Sequence, residues 1–94
     1  MSELETLRLP RRFDYSFHRQ FSEMYTPAID NSAFKELILD FSQVEYLDSS
    51  ALGMMVLLQK KFSGNNRVIK IKGAHGATEE ILKMANMQKI FEFI

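Results

Sequence analysis

Two short stretches of alternating residues, Leu37–Phe41 and Val68–Lys72, flank one apolar run, Ala51–Leu58. No other feature limits the fold so much. In the first stretch Leu37, Leu39 and Phe41 alternate with Glu36, Ile38 and Asp40, the period of a strand. Ile38 makes its second face partly apolar, as in a central strand. The run between the stretches reads as a helix entered at Asp48 to Ser50 and closed by Gly64. Lys60 and Lys61 fall in its last turn, where cations complement the helix dipole. Strand 34–41, helix 50–63 and strand 67–72 thus form a βαβ unit, whose crossover is expected to be right-handed.

The rest of the chain repeats this rhythm. Leu7 and Leu9 alternate with Arg8 and Pro10, a short strand ending at the proline. Phe17, Phe21, Met24 and Ala28 lie at i, i+4, i+7 and i+11, one face of a helix. Asp14 or Ser16 can cap it, and Pro27 predicts its end near Tyr25. Asn65 and Asn66 read as a turn. Thr78 reads as the cap of a third helix, with Ile81, Leu82 and Ala85 on its inner side and Asn86 as its stop. Phe91 to Ile94 can form a last strand. This alternation predicts one α/β domain, residues 1–94, with helices packed on a mixed sheet that is parallel in its centre.

Several function classes lose support. The 94 residues suit a single domain, and 12 Lys and Arg balance 12 Asp and Glu, so no basic excess suggests a nucleic-acid partner. Without cysteine there is no disulfide, thiol nucleophile or thiolate metal site. Met1 to Glu5 lacks the apolar run of a signal peptide. Ala51–Leu58 is too short to span a bilayer. The expectation is a soluble cytoplasmic protein without direct membrane insertion. His18 and His75 have no metal spacing, and neither is paired by sequence with a serine as its base. Asp40 and Asp48 read as a strand-end charge and a helix cap. Gly73, Gly76 and the run around Gly53 lack the Lys-Ser/Thr of a phosphate-binding loop. No metal or cofactor is expected.

In open α/β sheets, sites form outside the carboxyl ends of strands. Here that place holds Asp48-Ser49-Ser50. Free N–H groups and a partial positive charge at a helix start suit a phosphate. The same triplet also serves as an ordinary cap. The helix after it is apolar nearly all round: Leu52, Val56 and Gln59 on one side, Met55, Leu58 and Phe62 on another, Ala51, Met54 and Leu57 on a third. A surface helix needs one apolar stripe. Part of this one, including Met54, is therefore expected to be exposed as a partner patch. Arg11 and Arg12 read as a solvated turn, or as a basic handle for a phosphate or an acidic partner.

The stretch from Leu37-Ile38-Leu39-Asp40-Phe41 through Tyr46-Leu47-Asp48-Ser49-Ser50-Ala51-Leu52-Gly53 resembles the signature of STAS domains, the bacterial anti-anti-sigma factors and their relatives. Leu7 to Asp14 resembles the family's early strand ending in Leu-Asp. Ala77 to Phe91 resembles its late helix and loop. Ala51 stands where the family usually has Gly. The resemblance implies a phosphorylation-controlled binding switch rather than an enzyme, a monomer when free. Ser49 would be the phospho-acceptor, Asp48, Ser50 and Asp14 its supports, and Ala51, Leu52, Met54 and Met55 the partner-binding surface. The implied partner is an anti-sigma factor or serine kinase of the histidine-kinase-like ATPase fold. Its capture would free a sigma factor or another client, and a metal-dependent serine phosphatase would reset the switch. The alternatives are an unmodified STAS subunit of a membrane transport complex bound to an ABC-type ATPase, and an enzyme using Ser49.

Overall fold

The computed structural model describes residues 4–62, 64 and 66–94. Met1 to Glu3, Ser63, expected to end the second helix, and Asn65, expected in a turn, lie outside the described residues. The elements follow the expected alternation. They are β1 (Leu4–Arg8), β2 (Arg12–Phe13), a 3-10 turn (Tyr15–Phe17), α1 (His18–Asp30), β3 (Glu36–Asp40), β4 (Tyr46–Leu47), α2 (Ser49–Phe62), β5 (Val68–Lys72), α3 (Gly76–Met84), a second 3-10 turn (Met87–Lys89) and β6 (Glu92–Phe93). The main sheet has the order β1-β3-β5-β6. Each of its ladders is parallel.

The register explains which face is buried. Leu7, Leu39, Ile71 and Phe93 form one row across the sheet, and Leu37 and Ile69 lie in another on the same face. The core gathers on this face. The opposite face holds the rows Thr6–Ile38–Lys70–Glu92 and Arg8–Asp40–Lys72. Thr6, Arg8, Lys72 and Glu92 are exposed there, so this face meets water. Opposite charges meet across it: Lys70 lies 3.3 Å from Glu36, and Arg8 lies 3.9 Å from Asp40. Long charged side chains carry apolar stems that can cover a neighbour. Ile38 accordingly stays buried on a face without a helix.

Four local expectations are corrected. Pro27 does not end α1 near Tyr25; the helix runs on to Asp30. Proline removes one intrahelical donor, but tertiary contacts hold the last turn. Ala28 and Tyr25 are buried there. The Arg67 guanidinium donates to the carbonyls of Ala28 (3.0 Å) and Ile29 (3.1 Å) and lies over the Phe62 ring. Thr78 is not the cap of α3. It lies inside the helix, buried, and its hydroxyl donates to the Val44 carbonyl at 3.4 Å. Ile81, expected inside, is exposed, while Leu82 is fully buried.

The fourth correction concerns α2. Ala51, Met54, Met55, Leu58 and Phe62 are buried together, at i, i+3, i+4, i+7 and i+11. They form one broad stripe, not parts of separate faces, because α2 packs against α1, β4 and β5 at once. Met54 is 8% exposed and Met55 and Ala51 not at all. These three are core residues and offer no surface to a partner. Met54→Glu is therefore expected to destabilise the domain by about 3 kcal/mol or more, since it buries a charge where a thioether packed. Met54→Leu should cost less than about 1.5 kcal/mol. Urea unfolding of both variants checks this, and an unchanged midpoint for Met54→Glu would return Met54 to the surface.

Candidate functional site

The site is built where β1 and β3 end. Beyond them the chain continues into a second, two-stranded parallel ribbon, in which Arg12 pairs with Tyr46 and Phe13 with Leu47. Backbone bonds fasten it: the N–H groups of Glu45 and Tyr46 both donate to the Arg11 carbonyl, at 2.8 and 3.1 Å. The Gln43 side chain donates to the Leu9 carbonyl at 2.8 Å. One face of the ribbon is core. Phe13 is fully buried, in edge contact with Phe17 (6.0 Å), Phe21 (5.2 Å) and Phe41 (6.1 Å). The other face turns outward, where the Arg12 guanidinium lies 4.4 Å from the centre of the Tyr46 ring.

Three aspartates close the strand ends, each accepting a backbone N–H just ahead of it. Asp40 accepts from Ser42 (2.9 Å), Asp14 from Ser16 (3.0 Å) and Asp48 from Ala51 (3.0 Å). Asp48 is thus the N-cap of α2. Asp14 caps the 3-10 turn rather than α1, and also accepts from the Ser16 hydroxyl and from Arg12 Nε at 2.6 Å. The Ser16 hydroxyl first, and Arg12 next, hold the Asp14 carboxyl below the usual carboxylate range. The Ser42 backbone N–H does the same for Asp40, against the opposing effect of burial.

Ser49 is the first residue of α2 and is exposed; Ser50 and Asp48 are half-buried. Asp14 and Asp48 each follow a partner of the Phe13–Leu47 pair, so the ribbon brings Asp14, Asp48 and Ser49 to one end of the molecule. Of the residues expected to face a partner, Leu52 is half-buried, whereas Ala51, Met54 and Met55 point into the core. The outward side of α2 is instead Ser49, Leu52, Gly53, Val56 and Leu57, a stripe running down the helix from Ser49. Both histidines have other engagements. The His18 ring stacks on Tyr15, and His75 Nε2 lies 3.0 Å from the Ser42 carbonyl oxygen.

The ribbon and its Arg12–Tyr46 contact were not legible beforehand. Strands of two residues are too short to show a period, and the pairing is set by Phe13 and Leu47 reaching the same core. The one signal was the pair of polar–apolar dipeptides, Arg12-Phe13 and Tyr46-Leu47.

A family model for the "Mlab, STAS domain" matches residues 2–92. The chain belongs to the STAS domain family. A STAS-domain containing protein of Pseudomonas aeruginosa strain UCBPP-PA14 is 30% identical over 87 residues, covering 93% of this chain and 84% of the relative. Among solved structures, the anti-sigma factor antagonist SpoIIAA in its unphosphorylated form aligns with a TM-score of 0.75 at 16% identity, over 98% of this chain and 79% of that one. SpoIIAA of Bacillus in its phosphorylated form aligns at 0.72 and 15% identity, over 98% and 83%. A sulfate transporter family protein from Wolinella succinogenes aligns at 0.78 and 11% identity, over 93% and 70%. At such low identities these structures speak for the STAS fold.

The capping aspartates give the STAS fold here a dependence on acid. A carboxylate lowered in the folded state contributes stability that is complete above its unfolded value, about 3.9 for Asp. That stability is lost as pH falls through the folded values. The urea midpoint is therefore expected to hold steady near neutrality and to drop below about pH 4. In the Asp14→Asn, Asp40→Asn double variant the midpoint should start lower and its acid drop should be shallower. Midpoints measured at successive pH values decide the matter, and parallel curves for the two proteins would show that these caps do not carry the effect.

Proposed function

We propose that this STAS domain is a phosphorylation-controlled binding switch. In its unphosphorylated form it captures an anti-sigma factor of the serine-kinase type, with the histidine-kinase-like ATPase fold, and so relieves inhibition of a sigma factor or other client. Phosphate on Ser49 blocks the capture, and a metal-dependent serine phosphatase removes it. One observation carries this reading: Ser49 stands exposed on the first turn of α2, at the head of that helix's outward stripe. A phosphate there adds about −1.5 to −2 charges. The helix start accommodates that charge in the free protein. A partner surface closing over it must desolvate it, which is costly when the charge is left unpaired.

Gly53 supports the same surface. A side chain at this position would meet nothing within 4 Å, so no internal contact demands glycine there. Glycine in a helix interior costs up to about 1 kcal/mol relative to alanine. A flat spot beside Leu52, Val56 and Leu57 suits close approach by another protein.

A second reading has its own support, in the sulfate transporter family neighbour. In it the domain is a constitutive subunit of a membrane transport complex, seated on an ABC-type ATPase, and Ser49 is not modified.

Affinity capture from native cells separates the two. With wild type the switch reading expects an anti-sigma factor, with Ser49→Asp much less of it, and with Ser49→Ala as much as wild type. Ser49→Asp should fold at least as well as wild type, since an acidic residue suits the first turn. Gly53→Ala should raise stability by up to about 1 kcal/mol yet weaken capture. A transport ATPase retained equally by all variants, with no phosphate on Ser49, would replace the switch by the second reading.

A further inference from the structure

The segment Arg8-Leu9-Pro10-Arg11-Arg12 carries three guanidinium groups around the end of β1: Arg11 and Arg12 in the ribbon that leads to Ser49, and Arg8 on the water-facing side of the sheet. Their side chains are 72%, 75% and 68% exposed. The acids beside them are disposed unequally. Asp40 and Asp14 are turned inward, 12% exposed, and are occupied as caps of Ser42 and Ser16. Glu45 alone of the three stays outward, 2.9 Å from Arg11. A partner approaching this end meets the Arg12 guanidinium before its carboxylate, beside the outward Arg11–Glu45 pair.

Two exposed tyrosines flank Arg12, Tyr46 in contact with it and Tyr15 three residues on in the chain. Arg12 is fixed between the Asp14 carboxylate and the face of Tyr46, which is 43% exposed. Asp14 in turn caps the turn that opens with Tyr15, 67% exposed and stacked on His18. A guanidinium held by a carboxylate and a ring loses little freedom on binding. Exposed Tyr and Arg are the residues that most often anchor interfaces.

We infer that the ridge of Arg11, Arg12, Tyr15 and Tyr46 docks an acidic segment of a partner protein. Charge complementarity selects this occupant. A nucleic acid or an anionic bilayer would press its phosphates against Glu45, and three arginines on a neutral chain are few for either. A protein segment can set carboxylates against Arg11 and Arg12 and a donor against Glu45. The inference rests on the reading of the chain as a binding module and deepens it. A phosphate on Ser49, three residues after Tyr46, would repel that acidic segment.

The test is photo-cross-linking in native cells, with Tyr15 replaced by p-benzoylphenylalanine. The expected adduct is one protein, joined through a peptide with an excess of Asp and Glu. Its yield should fall at least roughly tenfold when like charge is introduced by Arg12→Glu or Arg11→Glu. It should also fall as salt screens the contact. Arg11 serves as the second variant because its side chain is the most exposed of the three, should Arg12→Glu fail to fold. An adduct on nucleic acid or lipid, one on a peptide without acidic excess, a yield indifferent to both variants, or no adduct at all would each overturn the inference. Ser49→Asp in the same assay keeps the two proposals apart. Loss with Ser49→Asp alone removes the ridge, and loss with the arginine variants alone removes the phosphoserine switch.

Discussion

The ring of Phe13 sits where the strand ends, α1 and the aromatic cluster meet, touching Phe17, Phe21 and Phe41 from a fully buried position. What flanks it follows from that anchoring. With Phe13 turned inward, the pleat sends Arg12 outward onto Tyr46. Asp14 is left to bend back as the cap of the next turn. The partner of Phe13 across the ribbon is Leu47, which fixes where Asp48 and Ser49 emerge. The exposed site is thus held by a buried aromatic contact several residues away. A large-to-small change at Phe13 would loosen the core and misplace the site together.

The larger elements could be read from the chain because their signals are long and agree with one another. β3 and β5 alternate cleanly, α2 is a long apolar run with a cap before it, and Asn86 sits in the left-handed conformation where the third helix was expected to stop. What could not be read depends on who packs against whom. The residues of α2 allow several apolar faces, and only the positions of α1, β4 and β5 decide that Met54 is covered and Leu57 is not. Thr78 has the chemistry of a cap, but the Val44 carbonyl lies within its reach and burial does the rest. Pro27 is a helix breaker by local rules, and Arg67, distant in sequence, supplies the donors that keep the last turn intact. For the site, Ser49 and Asp48 were visible as a strand-to-helix junction. Arg11 and Arg12 were visible as a solvated turn or a basic handle, but the Tyr46 ring beside them was not, since the contact exists only once Arg12 and Tyr46 are paired.

The exposed face of the sheet shows how a small parallel sheet manages with helices on one side. Parallel sheets are usually covered on both faces. Here opposite charges on neighbouring strands, Lys70 with Glu36 and Arg8 with Asp40, share the face with Thr6 and Glu92. Salt bridges at such a surface contribute little stability. Their effect is to keep a wide sheet surface hydrated and its single buried isoleucine out of reach.

The parallel pairing has a further consequence, for the order in which the molecule can assemble. Among the described residues every ladder joins strands separated by a crossover, and the one antiparallel contact is the isolated bridge between Gly64 and Arg67. Among the described residues no hairpin is present on which a sheet could start locally. Glu36 must find Val68 and Arg12 must find Tyr46 across intervening helices. Chains dominated by such non-local contacts close large loops before they gain much, and they fold slowly for their size. The ribbon that shapes the site joins segments on either side of α1 and β3. On the ribosome it therefore cannot form until the chain beyond Leu47 has emerged, and a nascent domain displays no finished docking surface until most of its core has closed.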